Sequence, residues 1–310
     1  MRITNHKFSI QHSAFSIIFT PMTRDILINE IHKKHSFLCV GLDTDITKLP
    51  LHLQSSPNAM VEFNKAIIDA TSQYCVAYKI NTAFYEALGA KGWEAMEATV
   101  NYIPATHLRI ADAKRGDIGN TASQYAKAFF ETLQFDAITV APYMGEDSVR
   151  PFLEYDNKWT IVLGLTSNKG ANDFQKLMVN TPSEADTMLI PNILLRNSEQ
   201  QLYKKVIEQV ATWGNPNNLM FVAGATRASE LEDIRDIVPN HFLLVPGVGS
   251  QGGDLQEVCK YGLNKDIGLL VNASRNIIYA SGAEDFAEAA SLIAAGYQVE
   301  MGTYIKDKLD

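Results

Sequence analysis

Short apolar runs alternate with amphipathic helical patterns along almost the whole chain. The runs are continuous rather than alternately polar and apolar, which is typical of parallel strands covered on both faces. We predict eight strands, at Phe37–Leu42, Cys75–Ile80, Leu108–Ala111, Ala137–Val140, Thr160–Leu165, Leu219–Ala223, Phe242–Val245 and Gly268–Val271. The predicted helices between them include Ala59–Thr71, Tyr85–Ile103, Ser123–Leu133, Leu202–Trp213, Glu230–Val238 and Leu255–Tyr261.

This alternation favours an α/β fold, a single (β/α)8 or TIM barrel, in which each strand is followed by a helix. A doubly wound open sheet is the alternative, because the number of elements does not show that the sheet closes. With 310 residues the chain can bury a full core, and we see no linker that would divide it. We therefore predict one barrel domain over residues 22–310, with an insertion around residues 168–199.

The first 21 residues do not fit the repeat. Gln11, His12 and Ser13 interrupt their apolar stretch, which is too short for a membrane span and lacks a convincing cleavage site. The first predicted helix follows Thr23, a suitable N-cap residue. We expect residues 1–21 to be a disordered or non-native extension and Met22 to be the natural start. A cleaved targeting peptide is the alternative.

Composition excludes several kinds of partner. The formal net charge of −8 argues against a general nucleic-acid surface. Cys39, Cys75 and Cys259 are widely spaced in apolar segments, which is typical of reduced core thiols in a cytoplasmic protein rather than of a disulfide framework or a zinc site. The histidines lack metal-ligand spacing. We therefore predict a cytoplasmic protein with no metal site, no nucleic-acid partner and no membrane partner.

Charged side chains cluster at the end of the third predicted strand, in Asp112-Ala-Lys-Arg-Gly-Asp117. Side chains alternate faces along a strand, so Asp112 and Lys114 point the same way. Gly116 then ends the strand and lets Asp117 turn, so we expect the Lys114 ammonium to lie between two carboxylates. Such a cluster is costly to desolvate and contributes little to folding, which indicates catalysis. A structural salt bridge at the barrel rim is the alternative.

Polar residues also follow other strands, at the carboxyl ends where a barrel places its active site. Asp43 follows the first strand, Lys79 lies near the end of the second, and Ser167 follows the fifth. A functional role is favoured for Asp43, although it could cap a turn. Lys79 taken alone is undecided, because a lysine at a strand end can simply extend its ammonium into solvent.

The last two loops have the features of a phosphate site. Pro246–Gly253 contains four glycines, which let the backbone approach an anion, and Gln251 offers amide donors. Ser274 and Arg275 open a helix after the eighth strand, where backbone N–H groups and a guanidinium favour phosphate. Tight turns also need glycine, but these two loops form a recurrent phosphate site in barrels of this kind, which favours the functional interpretation.

Together these motifs resemble the orotidine 5'-phosphate decarboxylase family, in its longer bacterial branch. The matching motifs are Gly41-Leu-Asp43, the Lys79 strand, Asp112–Thr121, Pro246–Gly253 and Ser274-Arg275. The resemblance extends from Phe37 to about Tyr279, outside residues 1–21 and the insertion. It implies a homodimer with shared active sites and a cofactor-independent enzyme. That enzyme converts orotidine 5'-phosphate to uridine 5'-phosphate (UMP) and CO2 in de novo pyrimidine biosynthesis.

The resemblance also implies roles for the charged residues. Lys114 protonates C6 of the pyrimidine after CO2 leaves, and Asp112 faces the departing carboxylate. Asp43 and Lys79 hold ribose hydroxyls and complete a network of alternating charges.

Further roles follow from the same resemblance. Three residues reach into the pocket of the partner subunit, namely Asp117, Ile118 and Thr121. Ser167 contacts the pyrimidine, and Gln251 and Arg275 hold the phosphate.

Two other classes of function stay open at this point. A metal-dependent sugar-phosphate decarboxylase or aldolase can share the barrel and the Asp-x-Lys-x-x-Asp element, but such relatives have an acidic metal ligand where this chain has Lys79, and a lysine there repels Mg²⁺. The other class is a non-catalytic nucleotide-binding barrel. The intact set of Asp112, Lys114 and Asp117 argues against it.

Overall fold

Eight parallel strands close into a barrel within residues 21–181, 198–224, 229–249 and 253–309, which are the residues described by the structure, a computed structural model. The barrel strands are β1 (Leu38–Gly41), β2 (Ala77–Asn81), β3 (Leu108–Arg115), β4 (Ala137–Val140), β5 (Trp159–Leu165), β8 (Leu219–Ala223), β9 (Phe242–Pro246) and β10 (Leu269–Ala273). Because β1 pairs with both β2 and β10, the sheet has no free edge. The predicted barrel is confirmed.

Helices follow the strands and cover the outside of the barrel. They are α1 (Arg24–Lys34), α2 (Ala59–Thr71), α3 (Thr82–Glu86), α4 (Ala90–Tyr102), α5 (Gly119–Lys127), α6 (Glu146–Leu153), α7 (Leu202–Ala211), α8 (Glu230–Ile237), α9 (Leu255–Gly262), α10 (Arg275–Ile278) and α11 (Phe286–Leu309). The barrel strands are buried along nearly their whole length, because side chains on one face fill the barrel and those on the other pack under helices.

Two predicted helices differ from the observed ones. The predicted helix Tyr85–Ile103 is divided into α3 and α4 at Gly89, whose φ of +62° lies in the left-handed region that ends a helix. The predicted helix Ser123–Leu133 begins four residues earlier, at Gly119, and continues as a π-helical turn over Ala128–Thr132.

The insertion around residues 168–199 begins with a 3₁₀ turn, Lys169–Asp173, and includes the antiparallel strands β6 (Met178–Thr181) and β7 (Ser198–Gln201). Residues 182–197 lie outside the described residues, as do residues 1–20 of the expected extension. Met22 is buried, and its carbonyl oxygen accepts a hydrogen bond from Trp159 Nε1 at 2.7 Å. In the described part of the chain, no helix combines the length and apolarity needed to cross a membrane.

Candidate active site

The carboxyl ends of the first three strands bring four charged side chains together. Lys79 Nζ lies 2.9 Å from Asp112 Oδ2 and 3.4 Å from Asp43 Oδ1. Lys114 Nζ lies 2.6 Å from the other carboxylate oxygen, Asp112 Oδ1. The charges therefore alternate in sign along the series Asp43, Lys79, Asp112 and Lys114. We call these four residues the charge network.

Strand register explains why these side chains meet. Gly41 pairs with Lys79, and Asn81 pairs with Asp112, so the three strand ends lie side by side. Lys114 and Asp112 meet on the same side of β3, as expected, although the irregular pairing between Ala111 and Arg115 interrupts the regular alternation of side chains there.

The expectation that Lys114 lies between two carboxylates is wrong, because Lys79 occupies that position instead. Within the described ranges, Asp117 forms no ion pair with Lys114. Its Oδ1 accepts a hydrogen bond from the Ile118 backbone N–H at 2.8 Å, as the chain turns after β3.

Burial and charge act in opposite directions on the network. Burial disfavours the ammonium of Lys79, whose side chain is 5% exposed, but the neighbouring Asp112 and Asp43 outweigh it and raise the pKa of Lys79. Burial likewise disfavours the carboxylate of Asp112, but Lys79 and Lys114 outweigh it and hold its pKa well below the usual range. Both groups are therefore charged at neutral pH. Lys114 differs, because its side chain is 51% exposed and faces the open mouth of the barrel.

The backbone of Lys114 adopts a conformation that is rare for a side chain other than glycine. Its φ is +45°, which costs on the order of 1–3 kcal/mol for such a residue. The Lys114 N–H donates to Thr139 Oγ1 at 2.9 Å, and Thr139 Oγ1 donates to Asp112 Oδ1 at 3.0 Å. Sequence reasoning missed Thr139, because a β-branched residue in a buried strand is an ordinary core residue.

Tyr279 is a second residue that the sequence did not single out. Its hydroxyl donates to the Asp43 carbonyl oxygen at 3.2 Å and accepts the Asp45 N–H at 2.7 Å. Tyr279 thereby fixes the turn after β1 that carries the Asp43 carboxylate.

The loop after β9, which contains Gly249, lies against the segment after β10, which contains Arg275. A Cβ on Gly249 would lie 2.9 Å from Asn276 Nδ2, so the loop after β9 packs directly on α10. Gly249 has a φ of +76°, which favours glycine. Arg275 is exposed, whereas the Ser274 hydroxyl is buried and donates to the Gly41 carbonyl oxygen at 3.0 Å. Gln251 lies outside the described residues.

The remaining predicted residues lie around the rim. Ser167 is half-buried, and a Cβ on Gly224 would lie only 2.8 Å from its backbone nitrogen, so β8 ends against the Ser167 loop. Ile118 and Thr121, at the start of α5, are exposed, Ile118 by 61%.

The carboxylates of the site are already paired with ammonium groups. Asp43 and Asp112 both contact Lys79, which lies where a cation would balance their charges. In the described ranges, no group of three or more histidine, cysteine, aspartate or glutamate side chains could hold a metal ion.

A protein-family model described as "Orotidine 5'-phosphate decarboxylase / HUMPS family" matches residues 36–290, and these contain every residue of the charge network. The chain belongs to the orotidine 5'-phosphate decarboxylase / HUMPS family.

Individual members of the orotidine 5'-phosphate decarboxylase / HUMPS family are similar over most of the chain. The orotidine 5'-phosphate decarboxylases of Christiangramia forsetii and Bacteroides fragilis are 56% and 52% identical, each over 92% of this chain and 99% of the relative. The structure of Leishmania donovani OMP decarboxylase is 35% identical with a TM-score of 0.71, over 90% of this chain and all of that one. The family resemblance of the sequence motifs is confirmed.

Proposed function

We propose that this chain is a cofactor-independent enzyme that decarboxylates orotidine 5'-phosphate to UMP and CO2 in pyrimidine biosynthesis. The observation that carries the proposal is the charge network, in which the exposed Lys114 ammonium is held 2.6 Å from the Asp112 carboxylate, whose side chain is 11% exposed. Family membership supports the substrate, because the similar proteins are orotidine 5'-phosphate decarboxylases.

Lys114 is suited to the most difficult step of this reaction. When the bond between C6 and the carboxylate breaks, CO2 leaves and its electron pair stays on C6 as an sp² carbanion that no adjacent carbonyl can delocalise. A fixed ammonium stabilises the developing charge and then donates a proton to C6. Because the Lys114 side chain is half exposed, its amine can take a proton from solvent afterwards.

Asp112 acts on the substrate carboxylate and on Lys114 together. Its depressed pKa keeps it anionic, so it would repel a substrate carboxylate placed beside it. Two unit charges 4 Å apart interact by about 4 kcal/mol at an effective dielectric constant of 20. Loss of neutral CO2 relieves this repulsion, and we assign the larger effect to stabilisation of the carbanion by Lys114.

Substrate binding uses the rest of the mouth of the barrel. We assign Asp43 and Lys79 to the ribose hydroxyls and Ser167 to the pyrimidine, as the family resemblance implies. The packing of the Gly249 loop on α10 supports a phosphate site that includes Ser274, through its backbone, and Arg275. Binding energy from a phosphate remote from C6 can hold the reacting groups in position.

We also propose a homodimer with shared active sites. Ile118 is exposed beside Asp117, and Tyr143 and Met144 in the next loop are exposed apolar side chains. The Cβ position of Gly116 lies 3.7 Å from Met144 Cε, so the two loops form one surface. Burial of this surface against a second copy would carry Asp117, Ile118 and Thr121 to the partner's pocket.

The three described cysteines support a cytoplasmic location for the enzyme. Cys39, Cys75 and Cys259 are buried free thiols, the state in which a reducing compartment keeps them.

Turnover in the presence of a chelator tests the function. We expect the ultraviolet spectrum of orotidine 5'-phosphate to change to that of UMP when the purified protein is added, at the same rate with and without excess chelator. A rate abolished by the chelator would instead indicate a metal-dependent enzyme. Tight binding of UMP without turnover of the substrate would indicate a nucleotide-binding protein and refute the proposal.

A further inference from the structure

The pairing of β3 with β4 is irregular at the active site. Ala111 pairs with Ile138, and the next pair is Arg115 with Val140, so four steps along β3 (111 to 115) correspond to two steps along β4 (138 to 140). Such a bulge removes ladder hydrogen bonds and redirects side chains. The redirected residues are those of the Asp112–Lys114 segment, and Thr139 is the β4 residue opposite them.

The hydroxyl of Thr139 forms hydrogen bonds where the strand-to-strand backbone bonds are missing. It accepts the Lys114 N–H at 2.9 Å and donates to Asp112 Oδ1 at 3.0 Å. The same oxygen, Asp112 Oδ1, lies 2.6 Å from Lys114 Nζ. These three contacts close a ring through Lys114, Thr139 and Asp112. Thr139 is buried, so no solvent molecule competes for its hydroxyl.

The other side of Lys114 is held separately. Arg115 Nη1 donates to the Ala113 carbonyl oxygen at 3.0 Å, and the guanidinium is ion-paired with Glu86. Of the two supports, Thr139 alone also contacts the Asp112 carboxylate. Its hydroxyl therefore couples the left-handed backbone of Lys114 to the carboxylate that receives the ammonium.

We propose that Thr139 is a positioning residue for proton transfer, fixing the Lys114 ammonium relative to C6 of the substrate. The proposal rests on the proposed function. Without the hydroxyl, the Lys114 N–H loses its partner, the unusual backbone conformation loses its support, and Asp112 loses a donor. The ammonium then moves, and a misplacement of about 1 Å can lower a rate on the order of 10²-fold.

Three variants test this inference. Thr139→Val keeps the size of the side chain and removes the hydroxyl, so we expect kcat to fall on the order of 10²-fold. We expect KM to change by less than about threefold, because the described hydrogen bonds of the Thr139 hydroxyl go to Lys114 and Asp112 and to none of the residues proposed to bind ribose or phosphate. Thr139→Ser keeps the hydroxyl and should restore most of the activity. The matched control is Thr160→Val, which removes a buried threonine hydroxyl from β5 and should leave kcat unchanged.

Hydrogen exchange gives a measurement that does not depend on substrate. The Lys114 amide should exchange at least about tenfold faster in Thr139→Val than in the wild type, because its acceptor is gone. Thr139→Ala, which also lacks the hydroxyl, gives the same test should the valine variant not fold.

The possible failures can be told apart. An active wild type whose Thr139→Val variant keeps its kcat would overturn the inference. So would an equal loss of activity in Thr160→Val, which would indicate general loosening of the barrel. A wild type without turnover would refute the proposed function. Faster exchange of the Lys114 amide in Thr139→Val would then still show that Thr139 holds this segment, and unchanged exchange would show that it does not.

Discussion

Asp112 is the residue on which the charge network depends. Its Oδ2 contacts Lys79, and its Oδ1 contacts Lys114 and Thr139. Replacing Asp112 by a neutral residue would leave the buried Lys79 with Asp43 as its remaining carboxylate partner and bring two ammonium groups face to face, and removing one partner from a buried ion pair is destabilising. Effects of Asp112 variants on activity and on folding are therefore mixed, whereas Lys114, with its exposed side chain, can be changed more cleanly.

Lys114→Ala is expected to remove turnover while leaving the fold and UMP binding largely intact. A general acid commonly contributes about 10²–10⁴-fold to a rate, and Lys114 also stabilises the carbanion, so we expect a loss of at least about 10³-fold in kcat. Spectrophotometric turnover, calorimetric binding of UMP and thermal unfolding measure the three properties. Lys127→Ala, on the exposed side of α5, is the matched control. Retained turnover in Lys114→Ala would exclude Lys114 as the proton donor.

Sequence reasoning located the charged residues of the site but not their pairing. Asp43, Lys79, Asp112 and Lys114 could be selected because each stands at a strand end, where a barrel places functional groups. That Lys79 lies between two carboxylates depends on the register of three strands, which the sequence does not contain. Thr139 gave no signal, because its contacts with Lys114 and Asp112 arise at a bulge, which the sequence does not show.

At the scale of elements, the seam between β1 and β10 joins the two halves of the site. Asp43 follows β1, and Ser274 and Arg275 follow β10. A Cβ on Gly41 would lie 2.7 Å from Ser274 Cβ, so the absence of a side chain lets the two strand ends approach. The hydrogen bond from Ser274 Oγ to the Gly41 carbonyl oxygen then closes the seam.

Gly41→Ala is expected to lower the free energy of unfolding by about 1–3 kcal/mol, the usual effect of overpacking a core. Displacement of Ser274 and Arg275 should also raise KM for the phosphorylated substrate. Gly296→Ala, in the middle of α11, is the matched control. Its Cβ meets no atom within 4 Å, and alanine favours the helix by up to about 1 kcal/mol. Equal unfolding midpoints in urea for the two variants would contradict the close packing at the seam.

The elements themselves were largely predictable, because continuous apolar runs mark the buried strands. The prediction failed where one glycine acts on a helix. Gly89 lies inside a helical pattern of apolar residues, so the sequence predicts one helix. In the structure the positive φ of Gly89 separates α3 from α4.

For the whole molecule, the proposed dimer makes a prediction about mixtures of inactive variants. Lys114→Ala and Asp117→Ala subunits damage different sites if Asp117 serves the partner, so a heterodimer of the two has one intact site and one with both changes. A statistical mixture should recover about a quarter of the wild-type activity. Mixing each variant with itself under the same unfolding and refolding is the control. Verified heterodimers without activity would exclude shared sites.

Two buried histidines should make the free energy of unfolding depend on pH. Burial and the neighbouring Lys34 lower the pKa of His107 to about 4, and burial with Arg24 and Arg235 lowers the pKa of His241 to about 4. Both values lie below about 6.5, the value in an unfolded chain. The stability they contribute is therefore complete above pH 6.5 and is lost as the pH falls towards 4, at up to about 1.4 kcal/mol per pH unit for each histidine.

Urea unfolding at pH 7 and pH 5 measures this effect, with a lower free energy of unfolding expected at pH 5. His241→Phe is the informative comparison, because neither ring nitrogen of His241 has a hydrogen-bond partner among the described residues. That variant should lose about half of the pH dependence. Equal stability at both pH values in the wild type would show that these histidines are not buried in the neutral form.

The order of elements in the sequence does not show that the barrel closes, because an open sheet can have the same order. The pairing of β1 with β10 establishes closure.

This pairing also affects synthesis on the ribosome. The strands that carry the charge network emerge early, whereas the strand that carries Arg275 is the last of the barrel to emerge. A chain terminated before β10 would therefore expose the edges of β1 and β9 and lack Ser274 and Arg275, which are proposed to bind the phosphate. Substrate could therefore bind only to chains whose translation is almost finished.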